Sequence, residues 1–356
     1  MPLKEDYLPN LLPMKLTLLR YMLLSKIIIG KNRGHYRRKL SELHKVVRTY
    51  ETLYFSNCKR MPFDWLLLKQ HQNEIMKPPR DGLNTVSRER EVIVSLTSFP
   101  PRMEIVWVVL KIMLSQTYKP DRILLYLAEE QFPGRKLPEW AELYREAGVA
   151  FIFCEEDLKP HKKYFYAMRD YPEAIIITVD DDMLYGVDLL ETLMDSYAKF
   201  PKAISAMRTA RIAIDENGCV LPFSEWDKIC RDVTNKPLMR FLLVGVGGVL
   251  FPPNSLHREV LNIDMIKKVC LHTSDMWLQI MAVLQGTPVV LASDNSIQRT
   301  IEESQSVALF NKNKNEYDSQ LNAILDIYNN YHGEDDTVIK RIMLEDTGGA
   351  STLVQI

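Results

Sequence analysis

From residue 91 onward, short aliphatic runs alternate with stretches whose apolar positions recur every three or four residues. The runs cover 91–97 (Glu91-Val-Ile-Val-Ser-Leu-Thr97), 122–127 (Arg122-Ile-Leu-Leu-Tyr-Leu127), 149–154 (Val149-Ala-Phe-Ile-Phe-Cys154) and 174–179 (Ala174-Ile-Ile-Ile-Thr-Val179). Their nearly unbroken apolar character predicts strands buried on both faces. Helical periodicity fills the gaps at 105–115, 138–148 and 161–171, with short connections between elements. That alternation predicts an α/β fold, a mostly parallel sheet flanked by helices. Later in the chain, an apolar helical run extends to Leu284, and 316–331 predicts another helix. Ligands of open sheets bind beyond the carboxyl ends of the strands. The loops after Thr97, Leu127, Cys154 and Val179 are therefore where chemistry is expected.

Residues 1–90 follow a different pattern, helical and irregular, ending in the breaker-rich stretch Lys77-Pro-Pro-Arg-Asp-Gly-Leu-Asn84. The expected organisation is a basic helical N-terminal extension (1–90), the α/β domain (91–332) and a polar C-terminal tail (333–356). The chain has 356 residues, 46% hydrophobic and 26% charged, which suits a globular protein with a sizeable core. Its net charge of −1 hides an asymmetry, because residues 11–49 carry ten Lys/Arg against Glu42 alone. Leu12, Leu16, Leu19, Leu23 and Ile27 recur at helical spacing among those cations. Such a helix either lies on an anionic membrane surface or packs on the protein's own body, and the sequence leaves both open. Leu16 to Ile29, interrupted by Arg20 and Lys26, is too short and too charged to span a bilayer. The five cysteines are scattered without CxxC spacing and read as reduced thiols. The expected location is cytoplasmic, with a peripheral position on the inner face of the cell membrane as one reading of the basic helix.

The strongest chemical signal is Asp180-Asp181-Asp182, directly after the fourth run. Adjacent carboxylates at the mouth of a buried strand repel and need a compensating charge. Mn²⁺ or Mg²⁺ would supply it, since hard cations prefer oxygen ligands and phosphate oxygens. On an extended segment, residues i and i+2 point the same way. Asp180 and Asp182 are thus expected to share the metal, with Asp181 directed elsewhere. The plain alternative is an acidic turn or a cap for the next helix.

In this context the chain resembles bacterial nucleotide-sugar glycosyltransferases of the GT-A (Rossmann-like) fold related to family 2. The likeness rests on Val92-Ile-Val-Ser-Leu-Thr-Ser-Phe-Pro-Pro-Arg102, Leu114-Ser-Gln-Thr-Tyr-Lys-Pro120 and Ile176-Ile-Thr-Val-Asp-Asp-Asp182. It continues in Gly245-Val-Gly-Gly-Val-Leu-Phe-Pro-Pro253, Ser274-Asp-Met-Trp277 and Met281-Ala-Val-Leu-Gln-Gly-Thr287, so that it spans about residues 90–330. The resemblance implies that the loop from Thr97 to Arg102 borders the nucleoside and that Asp157 contacts it. Lys163 would approach the diphosphate, against the plain reading of a surface lysine in a Lys-Lys pair. Asp181 is grouped with the donor-binding residues, and Asp180 and Asp182 hold the metal. Asp275 is the implied catalytic base of an inverting transfer, its alternative being a helix cap. The related enzymes carry an acidic pair there, and this chain has Ser274 at the first position.

The implied activity moves a sugar from a nucleotide-sugar, UDP-linked by preference, to a saccharide or lipid-linked acceptor in surface polysaccharide synthesis. A sugar nucleotidyltransferase is the alternative within the fold, although Leu96-Thr-Ser-Phe-Pro-Pro-Arg102 lacks that class's Gly-rich basic signature. A non-catalytic nucleotide-sugar-binding protein is the other. Gly245-Val-Gly-Gly248 is no dinucleotide loop; its glycines admit either a ligand or tight packing. Trp226 and Trp277 read as core before sugar platforms, and His272 as structural before metal ligand. No nucleic-acid motif is present.

Overall fold

The computed structural model describes residues 77–228, 234–293, 299–301 and 317–343. The basic helix at 12–27, the segment 11–49, Cys58, Cys230 and the last residues of the tail lie outside them. Four strands fall where the apolar runs put them: β1 (Val92–Thr97), β2 (Arg122–Ala128), β3 (Val149–Cys154) and β4 (Ile175–Thr178). The helices between are α1 (Val106–Leu114), α2 (Trp140–Glu146) and α3 (Lys162–Asp170). A two-residue strand β5 (Met183–Leu184) and helix α4 (Leu189–Lys199) follow. Then come β6 (Ile204–Ala206), β7 (Thr209–Arg211), β8 (Phe241–Leu243) and β9 (Val249–Phe251). The remaining elements are α5 (Ile263–Val269), α6 (Ser274–Gln285), β10 (Val289–Leu291), β11 (Arg299–Thr300), α7 (Tyr317–Tyr328) and α8 (Val338–Met343).

Seven strands form one sheet in the order β10-β6-β9-β4-β1-β2-β3. It is a mostly parallel, Rossmann-like α/β sheet with helices on both faces. Only β9 runs antiparallel to its neighbours β4 and β6. Consequently β1, β2, β3, β4, β6 and β10 all end on one edge. Ile93, Leu124, Tyr126 and Ile176 pack with α3, α6 and α7 in one buried cluster. Their alternates Val94, Leu96, Leu125 and Ile177 are fully buried too. Burial on both faces is why these strands read as continuous apolar runs rather than as alternation.

Two boundaries differ from the sequence reading. Residues 77–90 hold onto the α/β domain: Asn84 and Arg88 both reach Asp121, whose carboxylate also accepts the Val92 N–H at 2.7 Å. At the other end, part of the expected tail is helix α8, with Val338 and Ile342 buried. Arg341 Nη1 donates to the Leu284 carbonyl at 2.9 Å, satisfying the open end of α6. One pair of apolar residues four apart is too short a pattern to stand out in a polar stretch. Among the described residues, no helix is long and apolar enough to cross a membrane.

His161, just before α3, is completely buried. Its Nε2 lies 2.8 Å from the Cys270 carbonyl, so Nε2–H donates there, and Nδ1 accepts from the Tyr164 hydroxyl at 2.7 Å. Burial, with the nearby charges of Lys163 and His272 acting the same way, lowers its pKa to about 4 despite the Cys270 bond. Unfolded chains therefore bind a proton below pH ~6.5 that the folded protein refuses until about pH 4. Stability is complete above that window and falls as pH drops through it, by about 3 kcal/mol. Urea unfolding at several pH values is expected to show this slope, and His161→Gln is expected to flatten it.

Candidate functional site

The sheet's carboxyl edge gathers six charged side chains. Strand β4 ends at Thr178, and the chain turns at Asp181 and Asp182 before β5. This turn overrides the alternation expected for Asp180 and Asp182. Arg102, from the loop after β1, pairs with Asp181 and reaches Asp182 Oδ2 at 2.9 Å. Asp180 goes the other way and accepts from Lys163 Nζ at 2.5 Å. The division is thus Asp181 with Asp182 against Asp180, not Asp180 with Asp182 against Asp181.

Each partner has a structural origin. Ser98, at the carboxyl end of β1, donates to Asp181 Oδ2 at 2.6 Å and fixes the buried carboxylate. Ser95, inside β1, donates to the Lys163 carbonyl, pinning the first turn of α3 against the sheet. Tyr185 joins the aspartate turn to the glycine turn: its hydroxyl accepts the Asp180 N–H at 2.8 Å and donates to the Val246 carbonyl at 3.1 Å. Gln116, from the Leu114-Ser-Gln block, clamps the next loop by donating to Gly186 O at 2.9 Å and accepting from Leu190 N. Sequence reasoning missed Tyr185 and Gln116. The placement of Tyr185 five residues beyond Asp180 was the available signal, but only the turn reveals it.

Asp275 enters from α6. It is the second residue of that helix, and the N-cap is Thr273. Its carboxylate instead accepts the Gly245 N–H at 3.1 Å, which removes the cap explanation. A side chain at Gly245 would crowd two of these charged groups. A Cβ would lie 2.8 Å from Asp275 Oδ1 and 3.1 Å from Lys163 Nζ. The close approach that this glycine permits is therefore to Asp275 and Lys163.

The electrostatics follow from burial. Lys163 is only 5% exposed in its side chain, which corrects the picture of a surface lysine. Burial opposes its charge, yet Asp180 and Asp275 together hold its pKa above the ordinary lysine value. Arg102 shows the same balance, with Asp181 and Asp182 outweighing burial. Burial raises the Asp181 carboxyl against the pull of Arg102 and Ser98. It raises Asp275 as well, against Lys163 and the Gly245 N–H.

The other expected residues lie elsewhere. Thr97 donates its hydroxyl to the Tyr126 carbonyl at 2.8 Å, on the rim of β1. Asp157, beyond β3 and two strands away from β1, is paired with Lys159 and Lys162 and accepts from Gln131 at 2.7 Å. Its pKa is lowered because these lysines outweigh its burial. Trp277 and Trp226 are core residues, donating to Val260 O and Leu221 O. His272 is exposed.

Among the described residues, no group of three or more His, Cys, Asp or Glu converges as a ready metal cage. The residues still suit a hard cation in two respects. The donors are carboxylate oxygens, with Asp180 keeping 27% of its side chain exposed. Among the described residues, four aspartates also meet two cations here, Arg102 and Lys163, so that the printed ion pairs leave carboxylates in excess. Such an ion would take most of its shell from phosphates and water, as Mg²⁺-type ions do.

Replacing Arg102 by Met would leave the Asp181 carboxylate buried without its counter-ion. Urea unfolding is expected to show a loss of about 3 kcal/mol or more. Adding Asp181→Asn is expected to recover part of that loss, because the uncompensated charge disappears.

No protein-family model matches the chain, and no curated protein matches it in sequence. Among solved structures, it is similar to a UDP-glucose pyrophosphorylase from Acinetobacter baumannii, with 12% identity and a TM-score of 0.35, covering 72% of this chain and 99% of that one. It is also similar to a mannosyltransferase from Pyrobaculum calidifontis in complex with GDP-Man and Mn²⁺, with 13% identity and a TM-score of 0.38, covering 81% of this chain and 84% of that one. Likenesses of this size assign no residue, ligand or activity to this chain.

Proposed function

We propose that this chain is a metal-dependent, inverting glycosyltransferase that uses a nucleotide-sugar donor, with a saccharide or lipid-linked acceptor. The observation that supports it best is the meeting of Asp180, Lys163 and Asp275 at the carboxyl edge of the sheet, around the point where Gly245 lacks a side chain. Carboxylates from two distant segments converge there, as a displacement with separate leaving-group and acceptor sides requires.

In this reading the acceptor hydroxyl attacks the anomeric carbon while the bond to the donor phosphate breaks. Asp275 takes the acceptor's proton, and a carboxyl whose pKa is raised by burial suits that task. The Gly245 N–H and the Ser274 hydroxyl, at 3.1 and 3.3 Å, orient its two oxygens. Although Asp180 is bonded to Lys163 and Asp182 to Arg102, the two would hold Mn²⁺ or Mg²⁺ by giving up those partners, and the ion when bound neutralises charge on the departing diphosphate. The loop from Thr97 to Arg102 borders the donor, with Asp181 holding Arg102 in place. Asp157 remains the proposed nucleoside contact at the end of β3.

A nucleotide-sugar screen tests this directly. Slow donor hydrolysis that needs Mn²⁺ and releases nucleoside diphosphate is expected; release of pyrophosphate instead would identify a nucleotidyltransferase. Full turnover in chelator would remove the metal from the scheme. Asp275→Asn is expected to lower transfer by about 100-fold or more while donor binding by calorimetry stays near wild type.

A further inference from the structure

Lys163 has more neighbours than a phosphate-binding lysine needs. Its ammonium is buried, bonded to Asp180 Oδ1 at 2.5 Å. Asp275 Oδ1 borders the same small space, since the missing Gly245 Cβ would sit 3.1 Å from the lysine and 2.8 Å from that oxygen. A buried ammonium with a single carboxylate could not leave it without a large desolvation cost. Here a second carboxylate waits beside the first. The four-carbon lysine stem allows the head to turn between them.

We propose that Lys163 is a positioning residue that exchanges partners. In the free protein it occupies the cation seat of Asp180; when a divalent cation takes that seat, Lys163 turns to Asp275 and holds the base. The inference deepens the proposed reading and rests on it. The lysine stays protonated and buried throughout, so the exchange needs a side-chain swing and no opening of the fold. Lys163 thereby lowers the protein's affinity for the ion and reports its arrival to Asp275.

The test uses the whole chain without donor, titrated with Mn²⁺ while free ion is followed by electron paramagnetic resonance. Lys163→Met removes the competitor and is expected to bind Mn²⁺ about tenfold or more tightly than wild type. Lys163→Arg, which keeps the charge, is expected to stay near the wild-type affinity. A lysine that only packs would leave binding unchanged or weaken it when removed, so the sign of the change separates a competing cation from a structural role. Should Lys163→Met fold poorly, Lys163→Gln gives the same comparison, read as a larger Mn²⁺-induced rise in melting temperature than in wild type. Equal or weaker Mn²⁺ binding in these variants overturns the exchange alone. No Mn²⁺ binding by wild type or variants overturns the metal reading and the exchange with it.

Discussion

The organising constraint is the burial of like charge. Asp181 and Asp182 are nearly inaccessible, Asp180 stands beside them, and Asp275 arrives from a distant helix. Carboxylates so placed would drive the edge of the sheet apart without counter-ions. Arg102 and Lys163 provide these from opposite sides, one from the loop after β1 and the other from the first turn of α3. Much of the local structure serves to hold those two cations. Ser95 fixes the backbone of Lys163, Ser98 shares Asp181 with Arg102, and Gly245 keeps open the space between Lys163 and Asp275.

The framework was legible because its signals are local. Four apolar runs and three intervening periodic stretches set the first four strands and three helices to within a few residues, and the strand-end rule pointed to the edge where the six charged side chains gather. The order of the remaining strands was not legible. Strand β9 is three residues long and inserts antiparallel between β4 and β6, a choice made by long-range packing. Lys162 and Lys163 show the same limit at single-residue scale. Neighbours on a helix point about 100° apart, and these two serve different carboxylates, Asp157 and Asp180. Nothing in the Lys-Lys pair says that both are buried, because their partners come from other strand ends.

The aspartate triplet shows how a sound rule can fail locally. Alternation of side chains holds only while the backbone is extended, and β4 stops two residues before Asp180. The turn that follows gives Arg102 both Asp181 and Asp182. What survives is the reason for invoking a cation at all. Among the described residues the cluster holds four aspartates and two cations, and Asp180 is the carboxylate that keeps 27% of its side chain exposed.

That excess of carboxylates bears on the order in which ligands could assemble on the proposed reading. A nucleoside diphosphate is itself an anion, and a net negative edge repels it before any contact forms. A divalent ion held at Asp180 would offset part of that charge and would supply a site suited to phosphate oxygens. Ion and donor then stabilise one another, since each is poorly accommodated without the other. On the same proposed reading, in which Asp275 is the base, that carboxylate benefits from the same sequence. It must stay ionised to accept a proton although burial raises its pKa, and a second positive charge near Asp180 counters that effect through space. The base is thus best prepared when the leaving group is already held, a coupling that arises from charge balance around Gly245 and needs no movement of the sheet.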